Sequence, residues 1–192
     1  FTAVVIGKHI FGGIGGNAFN PVVLAVAILA ISWKYLFDFD AALLNYDPGF
    51  MMAAPLVKLK AFGVDTIKDY SYVGLFFGRQ AGGIGSGFGL GLIAGGAYLI
   101  LRGFIRWEIS LSFLAGIFVT ASIFYMVDST RFADPIFHLL TGYTLIGAFF
   151  LATEDSSSPV NLLPMVIYGA GAGIMTILIR NIGNYHDGVL LA

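Results

Sequence analysis

The densest polar stretch between two apolar runs covers residues 152–159, which read ATEDSSSP. Its hydroxyl and carboxylate oxygens are the kind of ligand that replaces the hydration shell of a small cation. If the stretch is an ordinary surface loop, its two acids are simply solvated. If it lies inside a membrane, it marks a functional site, because polar groups at that depth are costly. The length of the stretch leaves both interpretations open.

A second joint of the same kind lies near the start of the chain. Residues 11–24 read FGGIGGNAFNPVVL and residues 149–162 read FFLATEDSSSPVNL, so each joins two apolar runs through small or polar residues and a proline. Paired interruptions are typical of inverted-repeat membrane folds, in which half-helix ends meet near the midplane. Coincidence between two helix joints is the alternative. The repeat hypothesis places these residues in one midplane polar site for a cation: Asn17, Asn20, Thr153, Glu154 and Asp155.

Familiar catalytic patterns are missing from the sequence. It contains no Ser-His-Asp set, no phosphate-cradling P-loop and no metal-ligand spacing of the HExxH type. The glycine-rich residues 82–91 lack the preceding strand that a dinucleotide-binding fold requires. His138, four residues after Asp134, is interpreted as a headgroup-level residue, with a proton relay as the alternative. We therefore predict neither a self-contained catalytic site nor a metal site.

The composition indicates an integral membrane protein. Hydrophobic residues make up 58% of the chain and charged residues 11%, where a soluble domain carries about 25% charged residues. The 10 basic and 11 acidic residues give a net charge of -1, so the basic excess that nucleic acid requires is missing. Without cysteine, the chain itself holds no iron–sulfur cluster or disulfide. Any redox centre here is organic or held by a partner.

Charge-free runs of about 20 residues locate the membrane spans. The runs over 109–127 and 135–153 predict the clearest helices, and a further helix is predicted to begin near Pro21, where the first run is interrupted. Residues 38–71 form the predicted extramembrane loop, which is too short to fold alone. We expect residues 1–192 to form one transmembrane domain, an internal piece of a longer protein. The five runs lie between Lys8 and Lys34, Arg79 and Arg102, Glu108 and Asp128, Asp134 and Glu154, and Asp155 and Arg180.

Glycines recur at every fourth residue in two places. Such spacing predicts a flat stripe along one face of a helix, and these stripes let two helix backbones approach closely. Close approach of a planar ligand is the alternative. The two stripes consist of Gly83, Gly87, Gly91 and Gly95, and of Gly169 and Gly173.

Taken in order, the motifs resemble the RnfD family, membrane subunits of Rnf-type electron-transfer complexes. The NqrB subunit of the sodium-pumping NADH:quinone oxidoreductase belongs to the same superfamily. The resemblance covers nearly the whole chain and keeps the order and spacing of the motifs. They are FGGIGGNAFNP at 11–21, APL at 54–56, GGIGSG at 82–87, LIAGGAYLILRGFIRWEISLSF at 92–113, FHLLTGYTLIGAFFLATEDSSSPV at 137–160 and IYGAGAGIMTILIRNIGNYHDGV at 167–189.

The resemblance implies a membrane subunit of a complex that passes electrons between ferredoxin and NAD, or from NADH to quinone, and couples this transfer to Na⁺ or H⁺ movement. It implies membrane, iron–sulfur and flavin subunits as partners, a prokaryotic inner membrane as the location, and an all-α, inverted-repeat bundle with broken helices, similar to urea-transporter-type channels. The alternatives are a channel or transporter of the same fold without redox partners, and a structural subunit whose cofactor site has decayed.

Members of this family carry FMN joined through its phosphate to the threonine of an S-G-A-T-P-L loop. The register that fits Pro55 and Leu56 places Ala54 at the threonine position, and alanine has no oxygen for a phosphoester. We therefore predict that covalent FMN is absent, while a noncovalent FMN or riboflavin stays open. Residues 82–88 and 152–155 also depart from the family's G-S-x-G-E-T-S and A-T-D-P. These departures favour a scaffold with reduced flavin dependence.

Overall fold

A computed structural model describes residues 1–10, 16, 19–33, 54–68, 70–83 and 85–192. All regular secondary structure within these ranges is helical, as the composition predicted. A π-helix, Thr2–His9, precedes the first α-helix, a 3-10 helix, Val64–Ile67, follows the second, and another π-helix, Gly147–Leu151, follows the seventh. The α-helices are α1 (Pro21–Ser32), α2 (Pro55–Phe62), α3 (Tyr72–Phe76), α4 (Gly89–Leu101), α5 (Trp107–Val127), α6 (Pro135–Leu140), α7 (Thr144–Ile146) and α8 (Leu162–Asn181).

Two helices, α5 and α8, are long and apolar enough to cross a membrane. Helix α5 confirms the span predicted over 109–127. Only 33% of the apolar window of α5 and 28% of that of α8 are buried inside the protein, so neither is the enclosed core helix of a water-soluble domain. Their outer faces therefore suit a lipid environment. The large apolar side chains exposed there include Leu111, Phe118, Val119, Ile123 and Met126 on α5, and Leu163, Val166, Ile167, Ile174 and Met175 on α8.

Glycines bring α5 and α8 into backbone contact. A Cβ atom added to Gly116 would lie 2.6 Å from the carbonyl oxygen of Ala170, and one added to Gly169 would lie 2.6 Å from that of Ile109. A Cβ at Gly173 would lie 2.9 Å from the backbone nitrogen of Ile117, so the second predicted glycine stripe is confirmed as a packing surface. The contacts advance together along the two helices, which makes them parallel. Because parallel helices start on the same side of the membrane, residues 128–161, which connect the end of α5 to the start of α8, must cross back to that side.

This return segment is broken, which corrects our prediction of one helix over 135–153. Helix α6 ends at Leu140, residues 141–143 leave the helical path, and α7 begins at Thr144 and continues into the second π-helix. Gly142 adopts φ +67°, a conformation that L residues with a Cβ rarely adopt. The prediction was wrong because the absence of charges over a run tests its hydropathy and not the continuity of its backbone.

The glycine stripe predicted from Gly83 to Gly95 is also corrected. Helix α4 begins only at Gly89, so Gly83 and Gly87 lie in the preceding loop. A Cβ at Gly83 would overlap the ring of Tyr143, which shows that this glycine serves loop packing against the helix break. Within α4, a Cβ at Gly96 would overlap the Phe149 ring.

Part of the predicted 38–71 loop is helical. The described part of this segment contains α2 and the 3-10 helix, and the salt bridge between Lys68 and Asp65 (2.7 Å) links two exposed side chains. The hydrogen bond and the charge of Lys68 hold the pKa of Asp65 below its usual value. Placement of the loop outside the membrane stays a prediction, as does the single transmembrane domain.

Candidate functional site at a broken helix

The helix break leaves backbone carbonyls at the end of α6 without helical partners. In a bilayer such groups need partners inside the protein. Arg180, at the end of α8, supplies them: Nη1 donates to the carbonyl oxygen of His138 (3.0 Å), and Nη2 donates to that of Thr141 (3.4 Å) and to Oγ1 of Thr144 (2.9 Å). The Arg180 side chain is 1% exposed. A guanidinium therefore caps a broken helix from the neighbouring span.

The carboxylate of Asp187 serves the other side of the break. Its Oδ2 accepts from the backbone N–H of Tyr143 (2.7 Å), and its Oδ1 accepts from Arg180 Nη2 (2.9 Å) and from the N–H of Val189 (3.1 Å). Burial by itself raises the pKa of Asp187, which lies beyond α8, but Arg180 and the N–H donors more than offset burial and lower it below the usual value. The two charges of one ion pair are thus divided between the carbonyl and amide sides of the break.

Two further side chains close the break. Gln80 Nε2 donates to the carbonyl oxygens of Leu140 (2.9 Å) and Leu75 (3.2 Å), which ties the loop before α4 to the end of α6. The hydroxyl of Thr144 lies 2.9 Å from the carbonyl oxygens of both His138 and Thr141. The break is therefore a built, hydrogen-bonded feature.

Lys60 connects α2 to the same region. Its Nζ donates to the carbonyl oxygens of Arg180 (3.1 Å), Tyr185 (2.8 Å) and Gly183, which lie at and beyond the last turn of α8. An ammonium at this position compensates the negative end of the α8 dipole. It also positions α2, which begins directly after Ala54, beside the helix break.

A narrow cavity lies where four chain segments meet. Residues 54–56, 81–83, 142–143 and 186–187 line it, and all four belong to or adjoin motifs that carry the family resemblance. Its accessible volume is about 20 Å³, which is room for about one water molecule. The structure thus brings the predicted flavin loop to the helix break.

The predicted flavin loop itself is described from Ala54 onward. Ala54 precedes α2 as its N-cap, Pro55 is the first residue of the helix, and Leu56 is buried in a cluster with Tyr70 and Phe137. The side chain of Ala54 is a methyl group, so it forms no phosphoester. The adjoining cavity is also far below the roughly 300 Å³ of small-molecule sites. These residues do not fit a covalently held flavin, and its absence stays a prediction.

The residues predicted to form the midplane polar site have local partners. Asn17 lies outside the described residues. Asn20 Oδ1 accepts from the N–H groups of Val22 (3.0 Å) and Val23 (3.2 Å), which caps α1 at the predicted Pro21 start. The other contacts lie within the polar stretch or the turn before it, so a shared cation site stays a prediction. Thr153 donates to Phe149, Glu154 accepts from Ser156 and Ser157, and Asp155 is exposed.

The sequence patterns missed the residues that hold the break. The signals that point to them are Gly142 inside a charge-free run, Arg180 at the end of the last span-length run, and Asp187 seven residues after Arg180. His138, interpreted as a headgroup-level residue, is fully buried and lies edge-on to Phe137 at 6.0 Å between ring centroids. Gly142 thus marks a discontinuity that hydropathy alone does not reveal.

Parallel spanning helices and a broken return segment, held at its break by a buried ion pair, define a polytopic helical membrane protein with a discontinuous helix. Comparison with known proteins agrees: residues 1–192 match the NQR2, RnfD, RnfE family. The chain belongs to this family, as the motifs predicted.

Several relatives carry names that describe their complexes. The chain is 33% identical to the D subunit of the proton-translocating ferredoxin:NAD(+) oxidoreductase complex of Clostridium ljungdahlii, over 98% of this chain and 59% of the relative. It is 37% identical to the D subunit of the Na(+)-translocating ferredoxin:NAD(+) oxidoreductase complex of Acetobacterium woodii, over 97% and 56%. It is 31% identical to the D subunit of the ion-translocating oxidoreductase complex of Cronobacter sakazakii, over 99% and 64%. The chain thus spans about three fifths of the length of these relatives.

Proposed function

We propose that the chain is the main part of a membrane subunit of a redox-driven, ion-translocating electron-transfer complex, to which it contributes scaffold and part of the ion or electron path. The observation that carries this proposal is the family match over all of residues 1–192. The relatives named above are D subunits of ferredoxin:NAD(+) or ion-translocating oxidoreductase complexes. Membrane, iron–sulfur and flavin subunits are the proposed partners, and the prokaryotic inner membrane is the proposed location.

The proposed fold is a urea-transporter-like inverted repeat. A helix broken at membrane depth is tolerated where protein groups satisfy its backbone, and inverted-repeat transporters place such breaks at their sites. The break at Gly142, closed by Arg180 and Asp187, supports this proposal. Helix α1 begins at Pro21, where the first apolar run is interrupted, and this supports a second helix joint there.

The proposed ion path uses oxygen ligands at the two joints read from the sequence, residues 11–24 and residues 149–162. Asn17, Asn20, Thr153, Glu154 and Asp155 are the candidate ligands for Na⁺, or the polar groups beside an H⁺ path. Among the described residues of this set, Glu154 accepts hydrogen bonds from the hydroxyls of Ser156 and Ser157. These bonds support a polar turn at this joint rather than a purely apolar helix end. Any flavin on this chain is proposed to be FMN or riboflavin held noncovalently.

A scaffold without its own flavin is the second candidate function. Two observations favour it: the methyl group of Ala54 stands where the family's phosphoester forms, and the adjoining cavity has room for about one water molecule. In this case electrons pass through partner subunits, and this chain holds the helices between which the ion moves.

Co-purification tests the proposal directly. The full-length chain carries an affinity tag in its native cells, the membranes are solubilised gently, and bound proteins are identified by mass spectrometry. A tagged, unrelated membrane protein from the same cells is the control. We expect iron–sulfur and NADH-binding subunits to accompany the chain in fixed ratio. Recovery as a homo-oligomer without redox subunits would instead favour a channel or transporter of the same fold.

A further inference from the structure

The aromatic ring of Tyr143 lies against the backbone of Gly83 at the narrow cavity. A Cβ atom built on Gly83 would overlap the hydroxyl oxygen and Cζ of Tyr143 and would lie 2.7 Å from its Cε1. Three neighbouring atoms at the outer end of the ring thus take the space in which a side chain at residue 83 would begin. Close approach of a ring to the backbone is possible here because glycine has no Cβ.

Small residues surround the rest of this space. Residues 81–83 line the cavity from the loop before α4, and Ala54 and Gly142 line it as well, so half of its ten lining residues are glycine or alanine. Tyr143 carries the largest side chain among the lining residues. The cavity of about 20 Å³ is therefore what remains of a wider space after the ring of Tyr143 has entered it.

Two interactions fix the position of Tyr143. Its backbone N–H donates to Asp187 Oδ2 (2.7 Å), so the helix break determines where residue 143 lies. Its side chain also packs against the buried apolar cluster that contains Leu145 and Phe149. The ring is thus part of the packed structure and does not merely rest over the cavity from the surface.

We infer that the ring of Tyr143 is an internal occupant of a space that suits a planar ring ligand, and that it closes this space to a flavin. The space adjoins Ala54, which stands at the threonine position of the predicted flavin loop. The two residues act in the same direction, because Ala54 removes the covalent link and Tyr143 fills the adjoining volume. This inference rests on the proposed function and deepens its second form, a scaffold without its own flavin.

Substitutions at Tyr143 separate the ring from its hydroxyl group. Tyr143→Ala removes both and joins their volume to the cavity, whereas Tyr143→Phe keeps the ring in place. An apolar cavity of about 150 Å³ is enough to hold a benzene ring, so the removal of one aromatic side chain opens space for the edge of a planar ligand. Ring occupancy therefore predicts opposite results for the two variants.

The test uses the purified full-length chain in detergent as wild type, Tyr143→Ala and Tyr143→Phe. Tyr98→Ala is the matched control, because Tyr98 is an exposed tyrosine of α4 outside the cavity. Binding of radiolabelled riboflavin is measured by equilibrium dialysis, with protein-free micelles as the blank. Thermal unfolding of each variant shows whether it is folded, and Tyr143→Val decides the result if Tyr143→Ala is not.

We expect Tyr143→Ala to bind one riboflavin per chain more than about tenfold tighter than wild type, while Tyr143→Phe and Tyr98→Ala bind as wild type does. Equal binding by wild type and the folded small-residue variant overturns the inference. Tight binding by Tyr143→Phe also overturns it, because the ring would then not be the obstacle. Co-purification with redox subunits tests the proposed function separately, since that result does not depend on riboflavin.

Discussion

Replacement of Asp187 by alanine leaves the guanidinium of Arg180 buried without its counter-charge. The wild-type side chains are 1% and 10% exposed and lie 2.9 Å apart, so solvent screens the pair poorly. Removal of one partner from a buried pair destabilises proteins by about 3–5 kcal/mol. For a chain of this size that corresponds to a melting temperature roughly 10 °C lower. The measurement is thermal unfolding of the purified protein in detergent, followed by tryptophan fluorescence.

Two comparison variants make this experiment decisive. Asp65→Asn removes a charge from a pair whose side chains are 90% and 73% exposed, and we expect no resolvable change in melting temperature. Arg180→Met combined with Asp187→Leu removes both buried charges, and we expect partial recovery because the carbonyls of His138 and Thr141 still lose their donor. If Asp187→Ala melts within 2 °C of Asp65→Asn, roughly 0.5–1 kcal/mol, the ion pair does not hold the helix break.

Three further predictions concern packing, the flavin and pH. Gly173→Ala places a methyl group 2.9 Å from the backbone nitrogen of Ile117 and destabilises by about 1–3 kcal/mol, whereas Gly171→Ala meets no described atom within 4 Å and leaves the melting temperature unchanged. Because the side chain of Ala54 has no hydroxyl group, the denatured chain shows no flavin fluorescence on a gel under ultraviolet light; a fluorescent band refutes this. The pKa of Asp187 is below its usual value, so the stabilisation from its charge is present above the usual aspartate pKa of about 4 and is lost as the pH falls below it. Wild type therefore loses stability more steeply than Asp187→Asn below about pH 4, and parallel curves contradict the assignment.

Hydropathy and local capping rules predict those parts of the fold that depend on short stretches of sequence. Helix α5 follows from one charge-free run, and α1 begins at Pro21 behind an asparagine cap, as its sequence indicates. Gly169 and Gly173 predict close packing because both lie within one regular helix. In each case the residues that decide the structure are neighbours along the chain.

The broken helix depends on contacts between distant residues. Residues 135–153 carry no Asp, Glu, Lys or Arg. Gly142 becomes a break only because Arg180, in the last turn of α8, and Asp187, just beyond that helix, supply the missing backbone partners. Arg180 at the end of an apolar run indicates only that a span ends there. The hydropathy pattern does not predict its hydrogen bonds to the end of α6. The stripe from Gly83 failed for a related reason: its spacing extends into the loop before α4.

The candidate site was predicted in part. The resemblance pointed to Ala54, Pro55 and Leu56, and the structure adds their neighbours across the narrow cavity, Gly142 and Asp187 among them. No local pattern joins these segments, since they meet only through tertiary packing.

Ion uptake by inverted membrane vesicles tests the central claim most directly. Vesicles from cells with the intact gene, a deletion strain and a complemented strain receive reduced ferredoxin and NAD(+), and uptake of ²²Na⁺ and acidification are followed together. We predict donor-dependent uptake of one ion in the intact and complemented vesicles and its loss in the deletion vesicles, with loss of the coupled ferredoxin oxidation. Equal uptake and equal oxidation with and without the chain would contradict its place in a redox-driven ion pump.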